Sequence, residues 1–166
     1  MGAIDGWAGA VEVGRAISLD GEIRDGRHVF VVRVYYEDTD FTGIVYHANY
    51  LRFMERARTN YLRLIGADHR ALFEAAEQEA PGFAFVVHSM TIDFRRPARM
   101  DDVLEVITEP QVVKGASITL RQRVMRGEEL LVDATVRFAL ISEGRARPIP
   151  KALRVAMKAD LDARAE

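Results

Sequence analysis

One stretch of the chain has the apolar spacing of a helix, and most of the chain after it has the spacing of strands. Across residues 48–65 the apolar positions recur every three or four residues, which predicts a helix that buries one face. Gly66 comes next and is typical of a helix end. A weaker pattern predicts a second helix at residues 68–79. A chain with a single long apolar helix must cover that helix with another kind of element.

The cover is predicted to be a β-sheet, because the remaining apolar stretches alternate with a period of two. One strand is predicted before the helix, at residues 28–36, and four after it, at residues 83–94, 103–113, 116–126 and 129–141. Lys114-Gly115 and Arg126-Gly127 are turn sequences, so the last three strands are expected to form an antiparallel meander. These patterns predict an α+β fold in which an antiparallel sheet wraps a central helix.

The length of 166 residues fits one domain, and the pattern divides the chain into three parts. Residues 1–26 are rich in Gly and Ala and are predicted to be a weakly ordered arm with a short strand near residues 16–19. Residues 27–150 hold the folded domain. Residues 151–166 are predicted to be a helical tail, with a mostly polar helix at residues 151–164.

Composition excludes several classes of function. A formal net charge of −2 argues against a nucleic-acid-binding protein, and the absence of cysteine excludes disulfides and thiolate nucleophiles. No run of about 18 apolar residues exists, so no membrane span is expected. The N-terminus lacks the basic and apolar segments of a secretory signal, which leaves the cytoplasm as the expected location.

The densest polar cluster beside apolar elements lies in the loop before the main helix. It comprises residues 37–40, with Gly43 and His47 shortly after. The first turn of a helix has backbone N–H groups without intrahelical partners, and such groups stabilise an oxyanion. A carboxylate held just before them can activate water or attack a carbonyl itself. The loop can therefore supply a base or nucleophile together with an oxyanion site, which are the two groups that acyl transfer needs.

The same residues also have simpler interpretations. Acidic residues before a helix are commonly only N-terminal caps in solvated turns. Asp38, Asp40 and His47 are potential metal ligands, but the sequence offers no second ligand cluster to complete a site. No metal or redox cofactor is expected for the chemistry.

The segment YYEDTDFTGIVYHANYLRFMERAR, residues 35–58, resembles the signature of the 4-hydroxybenzoyl-CoA thioesterase family. More narrowly, it is similar to the Tol–Pal-associated acyl-CoA thioesterases. The segment DFRRPARMDDVLEV, residues 93–106, resembles a second family segment, and the likeness extends over residues 28–149. The resemblance implies the hotdog fold, in which a sheet wraps a central helix. It also implies hydrolysis of acyl-CoA thioesters with short- to medium-chain acyl groups.

The resemblance implies roles for individual residues of the loop. Asp40 matches the family's catalytic carboxylate, acting as general base or as nucleophile, and the sequence does not choose between them. The backbone N–H of His47 matches the group that polarises the thioester carbonyl, and its ring is expected to orient substrate or carry a proton. Asp38 is expected to shape the loop, Asn49 to tether it and Tyr50 to pack in the core.

Substrate contacts are also implied by the resemblance. Gly43 is expected to let the backbone turn beside the substrate, and Tyr46 to contact it. Lys114 lies at a strand turn where the family places nucleotide contacts, and Arg96 is a further candidate to meet the phosphates of CoA.

The family pairs its sheets edge to edge with the cleft between subunits, which implies a homodimer or homotetramer. The acyl carrier, CoA or an acyl carrier protein, stays open. Two other functions are compatible with the fold. One is a hydratase or dehydratase with a different arrangement of histidine and carboxylate. The other is a non-catalytic module that binds thioesters or an acyl carrier protein. An intact Asp40 favours the hydrolase.

Overall fold

A computed structural model describes residues 18–66, 74, 78 and 82–165 of the protein. Its strands are β1 Glu22–Arg24, β2 Arg27–Arg33, β3 Ala84–Phe94, β4 Val103–Val113, β5 Ser117–Arg126, β6 Glu129–Ser142 and β7 Arg145–Arg147. Its α-helices are α1 His47–Ile65 and α2 Lys151–Asp162, and a single 3-10 turn covers Tyr36–Asp38.

All of these strands belong to one antiparallel sheet. Its order is β1-β2-β4-β5-β6-β3, and β7 pairs with the end of β6. The predicted meander of β4, β5 and β6 is confirmed. β3 follows α1 in the chain and pairs only with β6 among the described strands, so it forms an edge of the sheet. The prediction of an α+β fold with a sheet around a central helix is also confirmed.

The helix α1 is buried along one face because its apolar residues fall at helical spacing. The first half of α1 packs into a core with Val34 and Val45, which precede it, and with residues of β4, β5 and β6. The second half packs into another core, which includes α2. The buried α1 side chains are Asn49, Tyr50, Phe53, Met54, Ala57, Asn60 and Tyr61.

The alternation in β5 has the predicted sense, with every second residue facing α1. One of these inward residues, Gln122, is polar and fully buried. Its Nε2 donates to the Met54 carbonyl oxygen and to Thr108 Oγ1, both at 2.9 Å. These bonds offset the cost of burying the amide.

The structure differs from the prediction at the ends of the sheet. The first strand ends at Arg33 rather than at residue 36, because Asp38 Oδ2 accepts a hydrogen bond from the Tyr35 N–H at 2.8 Å and turns the chain. β1 lies inside the segment predicted to be a weak arm, and pairs with β2. β7 was not predicted. Both strands have three residues, too few to show a period.

Two predicted elements fall largely outside the described residues. The second helix, at residues 68–79, is described only at Glu74 and Gln78. The short strand predicted at residues 16–19 is described only at Ser18 and Leu19, which are not in a strand.

The C-terminal helix α2 packs into the core rather than forming a separate tail. Leu153 and Met157 are buried, and the Tyr61 hydroxyl donates to Asp160 Oδ2 at 2.7 Å. A Cβ added to Gly26, in the β1–β2 turn, would lie 2.0 Å from the Asp160 carbonyl oxygen, so only glycine fits beneath the helix. The division of the chain at residues 26 and 150 stays a prediction. In the part of the chain described, neither helix is long and apolar enough to cross a membrane.

Candidate active site

A tight hairpin carries Asp40 to the start of α1. The Asp40 N–H donates to the Ile44 carbonyl oxygen and the Gly43 N–H donates to the Asp40 carbonyl oxygen, each at 2.9 Å, while Thr39 and Val45 pair beyond them. Gly43 has a φ of 78°, the left-handed conformation that a three-residue hairpin loop requires at this position. Val45, at the base of the hairpin, is followed directly by Tyr46, the N-cap residue of α1.

The Asp40 carboxylate is exposed, and only one of its oxygens is occupied. Oδ1 accepts from the Thr42 hydroxyl at 2.6 Å and from the Thr42 N–H at 2.8 Å. Within the described residues, Oδ2 receives no hydrogen bond. The hydroxyl bond, together with the backbone bond, lowers the pKa of Asp40 below its ordinary value, since both favour the charged form. The group is therefore an anion at neutral pH with one oxygen available for chemistry.

The hairpin is held against the helix by polar contacts of Asp38. Its carbonyl oxygen accepts from the Tyr46 N–H at 2.9 Å and from Asn49 Nδ2 at 2.8 Å. Its side chain accepts from the Tyr35 N–H at 2.8 Å. The predictions that Asp38 shapes the loop and that Asn49 tethers it are confirmed.

The first turn of α1 is uncapped. Tyr46 occupies the N-cap position and supplies no side-chain hydrogen bond, and the first turn has no acidic residue. Asn49 N–H bonds to the Tyr46 carbonyl oxygen at 2.8 Å. The backbone N–H groups of His47 and Ala48 have no partner among the described residues. Free N–H groups at the positive end of a helix attract negative charge.

A pocket of about 250 Å³ opens beside this helix start. The His47 and Phe94 rings meet edge to face with centroids 6.1 Å apart, and the Tyr46 ring lies 4.6 Å from that of His47. The lining residues, which define the His47 pocket, are Ile44, Val45, His47, Tyr50, Phe94, Arg95, Arg96 and Pro97.

One wall of the His47 pocket is fixed by two backbone contacts. The Ala98 N–H donates to the Tyr50 hydroxyl oxygen at 2.8 Å, and the Val45 N–H donates to the Ala98 carbonyl oxygen at 2.9 Å. Tyr50 is buried, as predicted, with 3% of its surface exposed. Its hydroxyl therefore joins the segment that carries Arg96 to the helix start.

The structure brings most of the predicted site residues to one end of the molecule. His47 and Arg96 line the same pocket, and Asp40, Gly43 and Tyr46 lie in the hairpin that borders it. Arg96 also forms an ion pair with Glu129, with Nη1 and Oε1 3.2 Å apart.

Lys114 lies elsewhere within one chain. β4 begins at Val103, beside the end of β2 that leads into the loop, and Lys114 follows its other end. Eleven strand residues separate the two ends, which is roughly 35 Å at about 3.3 Å per residue.

Sequence reasoning missed Phe94 as a site residue. The alternation of β3 does place it on the inward face, opposite the buried Val132, but nothing local marks it as a neighbour of His47. The described residues contain no group of three or more His, Cys, Asp or Glu side chains placed to hold a metal.

Comparison with known proteins identifies the family. Residues 42–132 match the thioesterase superfamily, more than half of the chain. The chain belongs to the thioesterase superfamily. The predictions of a thioester hydrolase and of the hotdog fold are confirmed at the level of this superfamily.

Relatives within the thioesterase superfamily are similar over most of their length. Acyl-CoA thioesterase YbgC of Haemophilus influenzae is 47% identical over 134 residues, which cover 80% of this chain and 95% of that protein. Acyl-CoA thioester hydrolase YbgC of Shigella flexneri is 42% identical over 125 residues, covering 74% and 89%. A crystal structure of a probable thioesterase from Bartonella henselae is 41% identical with a TM-score of 0.64, covering 75% of this chain and 98% of that one.

Proposed function

We propose that this thioesterase hydrolyses short- to medium-chain acyl-CoA to a free acid and CoA, with Asp40 and the start of α1 as its reacting site. One observation carries the proposal. An exposed carboxylate with a lowered pKa and a free oxygen lies in the hairpin that runs into an uncapped helix N-terminus. The similarity to acyl-CoA thioesterases supports the choice of substrate class.

The chemistry needs two contributions from the chain. Asp40 Oδ2 takes a proton from the water that attacks the thioester carbon, or attacks that carbon itself to give an anhydride that water then opens. In either route the C–S bond breaks, and CoA leaves as the thiol after gaining a proton. The N–H groups of His47 and Ala48 stabilise the negative charge that develops on the carbonyl oxygen.

We assign most of the other predicted substrate contacts to the surroundings of Asp40 and the start of α1. The His47 ring and Arg96 line the pocket in which we place the thioester and the adjoining part of CoA, with Tyr46 and Gly43 at its border. Lys114 is remote from this pocket in one chain, so a contact with CoA requires a second copy.

We propose that the second copy pairs through β3. This strand has eleven residues and its outer edge is free in the described chain. A long free edge is a template for pairing with another strand. Light scattering is expected to show a dimer or tetramer, and a monomer with full activity would contradict this part of the proposal.

The proposal is tested by thiol release from a panel of acyl-CoA substrates, with the intact protein and Asp40→Asn in parallel. Asparagine keeps a side-chain oxygen for the Thr42 bonds and removes the charge, so the hairpin is preserved. We expect kcat to fall at least about 100-fold, the scale of a lost general base.

Glu37→Gln is the matched control for Asp40→Asn. Glu37 is an exposed carboxylate of the same loop and lies outside the hairpin contacts, so this variant is expected to keep full activity. Equal rates for the intact protein and Asp40→Asn would contradict the assigned role. Thioester binding without turnover in the intact protein would indicate a binding module instead.

The oxyanion role of the helix start has its own test, a comparison of His47→Pro with His47→Ala. Both variants remove the ring, but only proline removes the backbone N–H. Proline is favoured at the first position of a helix, and the extended backbone of Tyr46 suits the residue before it. We expect the proline variant to be roughly 100-fold slower than the alanine variant. Equal kcat values would exclude this N–H from the reaction.

We place the enzyme in the cytoplasm, and the link to the Tol–Pal system stays a prediction from the resemblance. Acyl carrier protein is the alternative carrier, and acyl-carrier-protein thioesters belong in the same assay.

A further inference from the structure

A single face of α1 runs from the His47 pocket toward the far end of the helix. Its residues recur at steps of three and four, the spacing that aligns side chains on a helix. β3 runs beside this face in the opposite direction, because Phe94 contacts His47 at one end and Phe85 lines a cavity with Leu62 at the other. The helix face includes His47, Leu51, Glu55, Arg58 and Leu62, and the strand side chains that line cavities with it include Phe94, Met90, Val87 and Phe85.

Two cavities continue along this groove beyond the His47 pocket. The first, of about 520 Å³, lies between Leu51 and Arg58 on the helix and Met90 and Val87 on the strand. The second, of about 270 Å³, shares Arg58 and Val87 with the first and ends against apolar side chains that include Leu62, Phe85 and Phe138. The walls are mostly apolar, and Arg58 lies where the two cavities meet.

Arg58 is partly buried and has no carboxylate partner in the described part of the chain. Its Nη1 donates to Gln122 Oε1 at 2.8 Å, and no carboxylate oxygen lies within 4.0 Å of its guanidinium among the described residues. Burial lowers the pKa of Arg58 despite the nearby charge of Glu55. By contrast, Arg121 and Arg126 each contact a carboxylate directly.

The guanidinium is also held in place. Gln122 donates through its Nε2 to Met54 and Thr108, which fixes the amide and directs its oxygen at Arg58. The other guanidinium N–H groups remain for a ligand in the cavities. Arg52 and Arg56 add positive charge around the first cavity, where Glu55 is the acidic lining residue.

We propose that the acyl group lies along this groove and that Arg58 binds a carboxylate at its far end, so that ω-carboxyacyl-CoA thioesters are a preferred substrate class. An arginine suits this role because its planar fork matches a carboxylate. The inference rests on the proposed function, since the thioester must sit at the start of α1 for the chain to point this way.

The required length of the acyl group follows from the helix. Arg58 comes eleven positions after His47, roughly 16 Å along the axis at about 1.5 Å per residue, and helix side chains lean back toward the N-terminus. Short dicarboxylic acyl groups fall far short of this distance, so the preference is expected to grow with chain length as the terminal carboxylate approaches the backward-leaning Arg58 side chain.

The experiment measures kcat/KM for thiol release with matched pairs of substrates. Succinyl-, adipoyl-, suberoyl- and sebacoyl-CoA are compared with butyryl-, hexanoyl-, octanoyl- and decanoyl-CoA. We expect the medium-length dicarboxylic thioesters to be preferred at least about 10-fold over their neutral partners, the scale of a charge-assisted hydrogen bond. The succinyl pair is expected to show no such preference.

Three variants assign the preference to Arg58. Arg58→Met is expected to abolish it, and Arg58→Lys to keep part of it. Arg63→Met is the matched control, because Arg63 lies five residues further along α1 and its guanidinium pairs with Asp20 at 3.4 Å outside the groove. It is expected to keep the full preference.

Several outcomes would overturn the inference while leaving the proposed function intact. One is hydrolysis by the intact protein that does not distinguish the two members of any pair, a result that holds even if Arg58→Met fails to fold. Another is an equal rise of KM for both classes in Arg58→Met or Arg58→Lys, which would place the guanidinium on CoA instead. No turnover of any thioester would overturn the proposed function, and this inference with it.

Discussion

At the N-terminal end of α1 the polar groups of the site are exposed and some of their atoms have no partner, whereas around its C-terminal end buried polar side chains bond to neighbouring elements. Asp40 Oδ2 and the N–H of His47 have no partners in the described chain. Near the other end, the Tyr61 hydroxyl is bonded to Asp160, and the fully buried His28 is bonded through Nε2 to the Asp20 carbonyl oxygen at 2.7 Å. The N-terminal end of α1 has donors and acceptors available to bind a substrate. Around the C-terminal end, side-chain hydrogen bonds connect elements of the fold.

The buried end also contains a carboxylate shared by three arginines. Glu109 in β4 is almost fully buried. It lies 3.1 Å from Arg27 Nε and 3.3 Å from Arg164 Nη1, and it also bonds to Arg123. Because Arg164 follows α2, this carboxylate in β4 joins the end of the C-terminal helix to β2 and β5 as well as to its own strand.

Among the substitutions that test this contrast between the two ends of α1, Glu109→Gln is expected to have the largest effect on stability. Removing the charge leaves the partly buried arginines Arg123 and Arg164 without a carboxylate, which typically costs about 3 kcal/mol or more. We expect urea denaturation to show a loss of about 3 kcal/mol in the free energy of unfolding, with kcat/KM of the folded protein unchanged.

Glu22→Gln is the control for this substitution. Glu22 pairs with Arg24 at 3.0 Å on the surface, and exposed pairs contribute about 1 kcal/mol or less. A loss in Glu109→Gln no larger than that in Glu22→Gln would contradict the importance given to the arginine cluster, and a fall in kcat/KM would contradict the separation of the two ends.

A smaller effect is expected from the pH dependence of stability. Burial lowers the pKa of His28 below the 6.5 of an unfolded histidine. Below pH 6.5 the unfolded chain binds a proton that the folded chain does not, so stability falls as the pH drops toward the folded pKa. The slope from one such group is at most about 1.4 kcal/mol per pH unit.

His28→Gln tests this origin of the slope, because glutamine keeps an N–H for the Asp20 carbonyl oxygen and does not titrate. Unfolding free energies of both proteins between neutral pH and pH 5 are expected to differ in slope, with the variant flatter. Parallel curves would assign the acid sensitivity to other groups.

The smallest effect is expected at the exposed end, from Thr42→Val. The Thr42 hydroxyl bond favours the Asp40 anion, so the loss of kcat/KM at acid pH is expected below the ordinary carboxyl value of 3.8. Valine removes that bond and keeps the backbone bond, so the acid limb is expected to move upward. A pH–rate profile measures the shift, and an unmoved limb would mean that Asp40 does not set it.

Most of the sheet and the helix could be predicted from the sequence because their periods are long enough to read. β4 has the predicted bounds, and the alternation of β5 is long enough to put the polar Gln122 on the inward face. The three-residue strands β1 and β7 carry no period, and the early end of β2 depends on one hydrogen bond to Asp38.

The site was less predictable, because its parts come from distant positions. The hairpin of Asp40 is local, and its turn residues indicate it. The neighbourhood of His47 with Phe94 depends on where β3 docks against α1, and the pairing of Arg58 with Gln122 joins residues 64 positions apart. The resemblance gave Lys114 a substrate contact, but within one chain the length of β4 separates it from the hairpin.

The uncapped start of α1 bears on attempts to engineer a more heat-resistant enzyme. Replacing Tyr46 with serine or aspartate would cap the helix, and good caps commonly raise stability by about 1 kcal/mol. The new oxygen would occupy a backbone donor of the first turn, where we place the charged oxygen of the reaction. A screen scored on melting temperature alone would therefore select variants that resist heat and turn over slowly, which is the trade-off between stability and activity in a single side chain.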